Sequence, residues 1–368
     1  MESPNNLRQR LQSRAAECLR LHKRLIARWA TGIGKSNIAL CYLKDSPKDK
    51  TLIVVPEVNN IENWWSEFDK FNVPKDNVTI ICYASLKNYV NTHWDLIVYD
   101  EAPHVDTWLR SNIISTISAE RVLALGAVVT PEEEKVLQDV YGQFAKTRIG
   151  LELGISMGIL PPPEVVVCHM TLDNDGKVYM HNGMRCTAAK KYELLDADVS
   201  NAVDAYNSSN TTINLRRMQR LGIQRKRFLG EQKEAAISLL CNMLAQQGKR
   251  FLCFCSSIKQ AETLGKENSF TSKTPKSMDI LSKFNNHEID SIYVVGKLIE
   301  GQNLKDVDCG IIGQVGGTER ISVQQCGRIM RSAKPIIYVP VFDGTKDESF
   351  VETITSSIPS KYVKHYKL

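Results

Sequence analysis

The chain has 368 residues, 43% of them hydrophobic and 24% charged, with a formal net charge of +6. That length exceeds one ordinary domain and favours two compact lobes, and the composition excludes a disordered, fibrous or membrane protein. No apolar run approaches the roughly 18 to 20 residues of a spanning helix, and the N-terminal MESPNNLRQRLQSR lacks the apolar core of a signal peptide, so a cytoplasmic protein without a membrane partner is expected.

In chain order, the runs LIARWA, TLIVVP, VTIICYA, DLIVYDE and RVLALGAVV read as strands with amphipathic helical patterns between them. That alternation predicts an α/β fold in which a parallel sheet is covered by helices on both faces. The first run leads into ATGIGKSNIAL. There Gly32 and Gly34 permit a tight turn whose backbone N–H groups face phosphate oxygens, Lys35 can reach the outer phosphates of a nucleotide, and Ser36 can ligate magnesium. Thr31 and Ile33 complete the turn, while Trp29 stands where the stricter form of this motif has glycine. Further on, DLIVYDE delivers Asp100 and Glu101 to the C-terminal end of a buried strand, the edge at which open α/β sheets hold ligands. Asp100 is suited to hold magnesium through water, and Glu101 to orient and deprotonate an attacking water. Between these two motifs, the spacing of IENWWSEF is that of an amphipathic helix, which assigns at least one of Trp64 and Trp65 to the core.

Three prolines at 161–163 precede another strand, EVVVCHM. From about Leu172 to Asn214 the chain is polar, with NDG, HNG and NSSNTTIN acting as turn and loop signals. Arg216, Arg217, Arg220, Arg225, Lys226 and Arg227 then follow within a stretch, Ala205 to Gly230, that holds no acidic residue. Six cations there can neutralise phosphates; the alternative is a solvated helix face or a connector. From Gly230 the α/β alternation resumes through RFLCFCS, SIYVVG, CGIIGQV and PIIYVPVF. The chain thus divides into a lobe at 1–158 and a lobe at 159–368, the latter with a polar and basic insertion or connector at about 172–230. Near the end, SVQQCGRIMRS sets Gln324, Arg328 and Arg331 in a QxxGRxxR pattern. Its two arginines, three apart, share one side of a helix and can face a phosphate or simply face water. The ten cysteines are scattered singly through apolar segments and read as reduced core thiols, and no histidine pairing suggests zinc.

The ordered set Gly32-Ile33-Gly34-Lys35-Ser36, Asp100-Glu101-Ala102-Pro103 and Gln324 to Arg331 resembles motifs I, II and VI of superfamily 2 helicases of the DEAD/DEAH type. CYASL resembles motif Ib, FLCFCSSIKQAETL motif IV and VVGKLIEGQNL motif V; in its compactness and in GILPPPEVVV the chain is most similar to phage-encoded members of the UvsW-like and restriction-translocase branch. The resemblance implies two RecA-like lobes with ATP in the cleft between them, Mg2+ at Ser36 and Asp100, and catalysis by Lys35, Asp100, Glu101, Gln324, Arg328 and Arg331. It implies that Thr31, Gly32, Ile33, Gly34, Lys35, Ser36, Gly301 and Asn303 bind nucleotide. It also implies a monomer partnered by nucleic acid, DNA before RNA, and by replication, recombination or repair proteins. Gln12 matches an upstream glutamine that reads adenine, or is a solvated helix residue. At motif-like positions Asn59, Ser85, Ser256, Ser257, Thr271, Ser272 and Asn303 are candidate backbone contacts. The chain departs from the family at Pro103, where a DEAH protein has histidine (His104 comes one place later), and at Gly126-Ala127-Val128, where motif III has hydroxyl side chains. An ATPase that clamps nucleic acid with little unwinding is therefore the second expectation.

Overall fold

A computed structural model describes residues 3–102, 112–173, 176–274, 277–295, 304–314, 326–327, 329–330, 332–356 and 358–368. Pro103, His104, Gly301, Asn303, Gln324, Arg328 and Arg331 lie outside the described residues. The chain forms two compact units, one built on Met1–Pro162 and one on Pro163–Ile299 with Leu304–Leu368.

The first unit begins with α1 (Pro4–His22), capped by Ser3, whose hydroxyl accepts from Asn6 N–H, and started by a proline in the first turn. Then follow β1 (Arg24–Trp29), α2 (Asn37–Asp45), β2 (Thr51–Val55), α3 (Val58–Phe71), β3 (Val78–Cys82), β4 (His93–Tyr99), β5 (Ser118–Gly126), α4 (Pro131–Tyr141), β6 (Ala145–Ile149) and α5 (Leu151–Ser156). A capping box between Thr130 and Glu133 starts α4. The six strands make one parallel sheet in the order β3-β2-β4-β5-β1-β6. Every residue of β2 is buried, as a β-branched strand covered on both faces must be. Because all strands run the same way, the turn after β1 and the acids after β4 emerge on one edge, with only β5 between them.

The second unit holds a seven-stranded parallel sheet in the order β11-β12-β10-β13-β14-β7-β15. Its strands are β7 (Glu164–Met170), β10 (Phe251–Cys255), β11 (Ser269–Phe270), β12 (Ser291–Val295), β13 (Cys309–Ile312), β14 (Ile336–Phe342) and β15 (Val363–Lys367). A separate antiparallel hairpin joins β8 (Tyr179–His181) to β9 (Met184–Cys186). The described helices are α6 (Ala188–Ser209), α7 (Thr212–Gln232), α8 (Glu234–Gln246), α9 (Ile258–Gly265), α10 (Ser277–Asn285) and α11 (Lys346–Thr355). The polar stretch before Asn214 therefore contains more than turns and loops. Thr187 caps α6, and Tyr192, Leu195, Val199 and Ala202 bury one stripe of it at helical spacing. Lys233 and Asp347, both fully buried, pair at 2.8 Å and tie the start of α8 to that of α11.

Seven of the ten cysteines are buried and all ten are free. No helix among the described residues is long and apolar enough to cross a membrane. Two parallel sheets flanked by helices are the architecture of two RecA-like units.

Candidate functional site

Past β1 the chain turns sharply through residues that only glycine suits. Gly32 and Gly34 sit at φ +89° and +88°, in the left-handed region. Ile33 between them is fully buried and anchors the turn, and Ala30 N–H donates to Ile149 O of the neighbouring strand at 2.8 Å. α2 starts directly after the turn, with Ser36 at its N-cap and the serine hydroxyl making no capping hydrogen bond. The helix therefore points its positive dipole end at the turn while Ser36 keeps its oxygen available.

Gln12 of α1 closes the turn from behind. Its side chain is 1% exposed, and Nε2 donates to Ile33 O at 3.2 Å and to Gly34 O at 3.1 Å. A Cβ on Gly34 would lie 2.5 Å from that nitrogen, so glycine is required there twice over. The solvated alternative for Gln12 is thereby overturned: a helix at this distance from the turn buries it. Between α1 and the strand ends a cavity of about 300 Å³ opens, lined by Leu11, Arg14 and Ala15 of α1, by Trp29, Thr147, Arg148 and Ile149, and by Leu153 and Met157.

Lys35 is 9% exposed and its Nζ lies 3.4 Å from Glu101 Oε1. The acids reach this position because β4 ends at Tyr99, its last strand residue, and Glu101 then takes φ +49°, a conformation rare for any residue but glycine and frequent at functional sites. Asp100 is fixed on several sides. Its Oδ2 accepts from Trp64 Nε1–H at 2.9 Å, its Oδ1 from Glu101 N–H at 3.1 Å, and its own N–H donates to Val54 O. Tyr83 donates from its hydroxyl to Asp100 O at 3.1 Å. Burial, followed by the neighbouring Glu101 carboxylate, pushes the Asp100 carboxyl up to about 6, and the Trp64 hydrogen bond and the Lys35 ammonium pull the other way. Trp64 is buried, as its spacing predicts, and it carries a polar duty that spacing does not reveal.

The structure therefore brings Gly32, Ile33, Gly34, Lys35, Ser36, Asp100 and Glu101 to one sheet edge within the first unit. At the start of α3 lies Asn59, and Ser85 follows β3. In the second unit Ser256 donates its hydroxyl to Gln260 Oε1 at 3.0 Å, Ser257 caps α9, and Thr271 is buried against Thr274; Ser272 is exposed. The six cations separate into two groups. Arg225 pairs with Asp196 of α6, and Lys226 is lowered from the usual lysine range by burial and by Lys233. Arg216, Arg217, Arg220 and Arg227 are exposed.

No family model and no curated protein matches the chain. Solved structures do. The chain is similar to Saccharomyces cerevisiae Dbp5 bound to RNA and ADP BeF3, with TM-score 0.60, 11% identity, and coverage of 97% of this chain and 89% of that one. It is similar to the Pyrococcus furiosus Hef helicase domain, with TM-score 0.53, 12% identity, and coverage of 94% and 97%. A Sulfolobus solfataricus SWI2/SNF2 ATPase core in complex with dsDNA matches at TM-score 0.40 and 14% identity, covering 94% and 89%, which is too distant to argue from. At these identities the likeness establishes the fold: two RecA-like α/β units of the kind found in helicase cores.

Proposed function

We propose that the chain is an ATP-dependent nucleic-acid motor, a helicase or translocase with DNA as its track, that hydrolyses ATP at the glycine turn of the first unit. The observation that carries this reading is the ion pair of Lys35 with Glu101, joining a positive-φ glycine turn to paired acids two strands away on the same sheet edge. The turn's N–H groups and the end of α2 receive the phosphates. Lys35 then has a stronger anion to face than Glu101, and its ammonium turns to the outer phosphate. Glu101 loses its counter-ion, becomes the more basic for it, and accepts the proton of the attacking water. Asp100, held by Trp64 and Tyr83, stays in position while this happens.

The donor set fits a magnesium ion. Ser36 makes no capping hydrogen bond, Asp100 is a half-buried carboxylate with no ion pair of its own among the described residues, and those residues contain no cluster of three or more His, Cys, Asp or Glu that would form an all-protein cage. Bound there, magnesium supplies charge neutralisation on the phosphate oxygens. Gln324, Arg328 and Arg331, with Gly301 and Asn303, enter on sequence pattern alone, the two arginines to neutralise charge developing on the transferred phosphoryl group. The likeness of GILPPPEVVV to phage-encoded translocases favours DNA, work in a host cytoplasm, and protein partners in replication, recombination or repair.

One observation favours a second reading, an ATPase that clamps rather than unwinds: β5 ends at Gly126, and Ala127 and Val128 follow without the hydroxyls that couple hydrolysis to strand movement in the resembled family. Strand displacement on forked duplexes, measured beside nucleic-acid-stimulated ATPase, separates the two. The test of the site is a pair of variants. Lys35→Ala is expected to abolish turnover, and Glu101→Gln to bind nucleotide without hydrolysing it. Hydrolysis at the wild-type rate by Glu101→Gln would remove the base from the scheme.

A further inference from the structure

The second unit carries a feature that the nucleotide site does not use. α6 and α7, 22 and 21 residues long, are joined by only Asn210 and Thr211 and pack side by side as a helical hairpin. At 1.5 Å per residue each arm is about 30 Å long. Ile213, Arg216, Arg220, Ile223 and Arg227 recur at spacings of three or four along α7, with Arg217 beside Arg216, and all are exposed, Ile213 by 78% and Ile223 by 66%. They form one stripe, and its four arginines span about 16 Å. Like charges at such spacings repel. Among the described residues no carboxylate pairs with Arg216, Arg217 or Arg220, and Arg227 shares Glu231 at 3.6 Å across two exposed side chains. Of the acids of α6, Glu193 pairs with Lys190, Asp196 with Arg225 and Asp198 with His181, and Asp204, exposed near the turn of the hairpin, makes no ion pair with the stripe among the described residues.

We propose that this stripe is a grip for double-stranded nucleic acid, in which the four arginines of α7 sit along the phosphate backbone of a duplex. The inference rests on the nucleic-acid reading above and names the substrate form. Phosphate recognition follows from the charge. Duplex rather than single strand follows from what is missing: sequence-tolerant single-strand sites stack bases on exposed aromatic rings, and the only aromatic residue of α7 is Phe228, which is buried edge-on against Tyr179 with 5.5 Å between ring centroids. A helix that offers charge without stacking discriminates by charge density, and a duplex carries one phosphate per roughly 1.7 Å of axis, twice the density of either of its strands.

The experiment measures binding by fluorescence anisotropy across a salt series, with duplex DNA, duplex RNA and single-stranded DNA of one length. The proteins are the wild type, the quadruple variant Arg216→Gln, Arg217→Gln, Arg220→Gln, Arg227→Gln, and the same four changed to lysine. Each released phosphate contact changes the slope of log K against log salt by about 0.9 on duplex DNA. The glutamine variant is expected to lose about 3.6 from that slope, so that between 50 and 200 mM salt the wild type weakens about 150-fold more than the variant. The lysine variant is expected to restore the slope, and the single-strand slope to change by less than about 1. Equal losses on duplex and single strand overturn the duplex assignment, as does an unchanged duplex slope in a glutamine variant that melts like the wild type. A wild-type protein that binds no nucleic acid, and whose ATPase none stimulates, fails the reading of the previous section instead. The duplex RNA arm tells which backbone the stripe prefers.

Discussion

Asp100→Asn separates the cost of the half-buried acid from its use. An aspartate raised by burial is penalised in its charged form. In the nucleotide-free protein the penalty is absent below its ordinary value of 3.8 and builds as pH rises through about 6, so stability falls across that window. Raising a carboxyl from 3.8 to about 6 corresponds to at most about 3 kcal/mol, and solvent screening of this half-buried group lowers the cost of the charged form in the free protein below that bound at pH 7.5. Asparagine cannot ionise, and it keeps an oxygen to accept the Trp64 Nε1–H. For a unit of this size about 3 kcal/mol corresponds to roughly 6 to 12 °C in Tm. Thermal melts of both proteins, without nucleotide or divalent cation, are expected to nearly coincide at pH 4 and to separate by up to that amount at pH 7.5, with the variant the more stable although inactive. A gap that stays constant from pH 4 to pH 8, or a wild type that melts higher at pH 7.5, would refute the claim that the site stores this energy.

Substitutions at Gly34, Gly142 and Lys233 probe the frame. Gly34→Ala places a methyl 2.5 Å from Gln12 Nε2 at φ +88°, and is expected to cost roughly 1 to 3 kcal/mol in denaturant unfolding and to abolish nucleotide binding; Gly142→Ala, at φ +83° with nothing within 4 Å, isolates the backbone strain and should leave binding intact. Lys233→Met strands the fully buried Asp347 carboxylate and is expected to cost about 3 to 5 kcal/mol, much of it regained when Asp347→Asn is added. A single variant within about 1 kcal/mol of wild type would show that the pair is not held as the structure has it.

The parts of this fold that could be read from sequence are those where one physical demand fixes the residue type. Strands buried on both faces must be apolar, so TLIVV and DLIVY declare themselves, and a positive-φ turn must be glycine, so Gly32 and Gly34 do also. β6 and β15 are edge strands whose alternating or exposed residues, AKTRI and VKHYK, carry no such run, and they were not legible. α6 was obscured by its polar exposed face: only four or five residues in 22 carry its stripe. In the site, the chemistry-bearing groups were legible, while their supports were not. Trp64 and Tyr83 hold Asp100 from elements separated from it by 36 and 17 residues, and nothing local in either residue announces that contact. The same limit applies to Arg225 and Lys226, which composition groups with the exposed cations and which packing removes from them.

The position of β7 in its sheet has a consequence for synthesis. It is the first strand of the second unit, yet it lies between β14 and β15, and its register with β15 runs from Val363↔Val165 to Lys367↔His169. The first unit can close its sheet once residue 149 has left the ribosome, whereas EVVVCHM must wait for nearly 200 more residues, about 10 to 40 seconds at ordinary elongation rates, before both of its edges are covered. During that interval a β-branched strand with two open edges is the segment of the nascent chain most exposed to wrong pairing, and a chaperone that engages this protein during translation would be expected to hold it there.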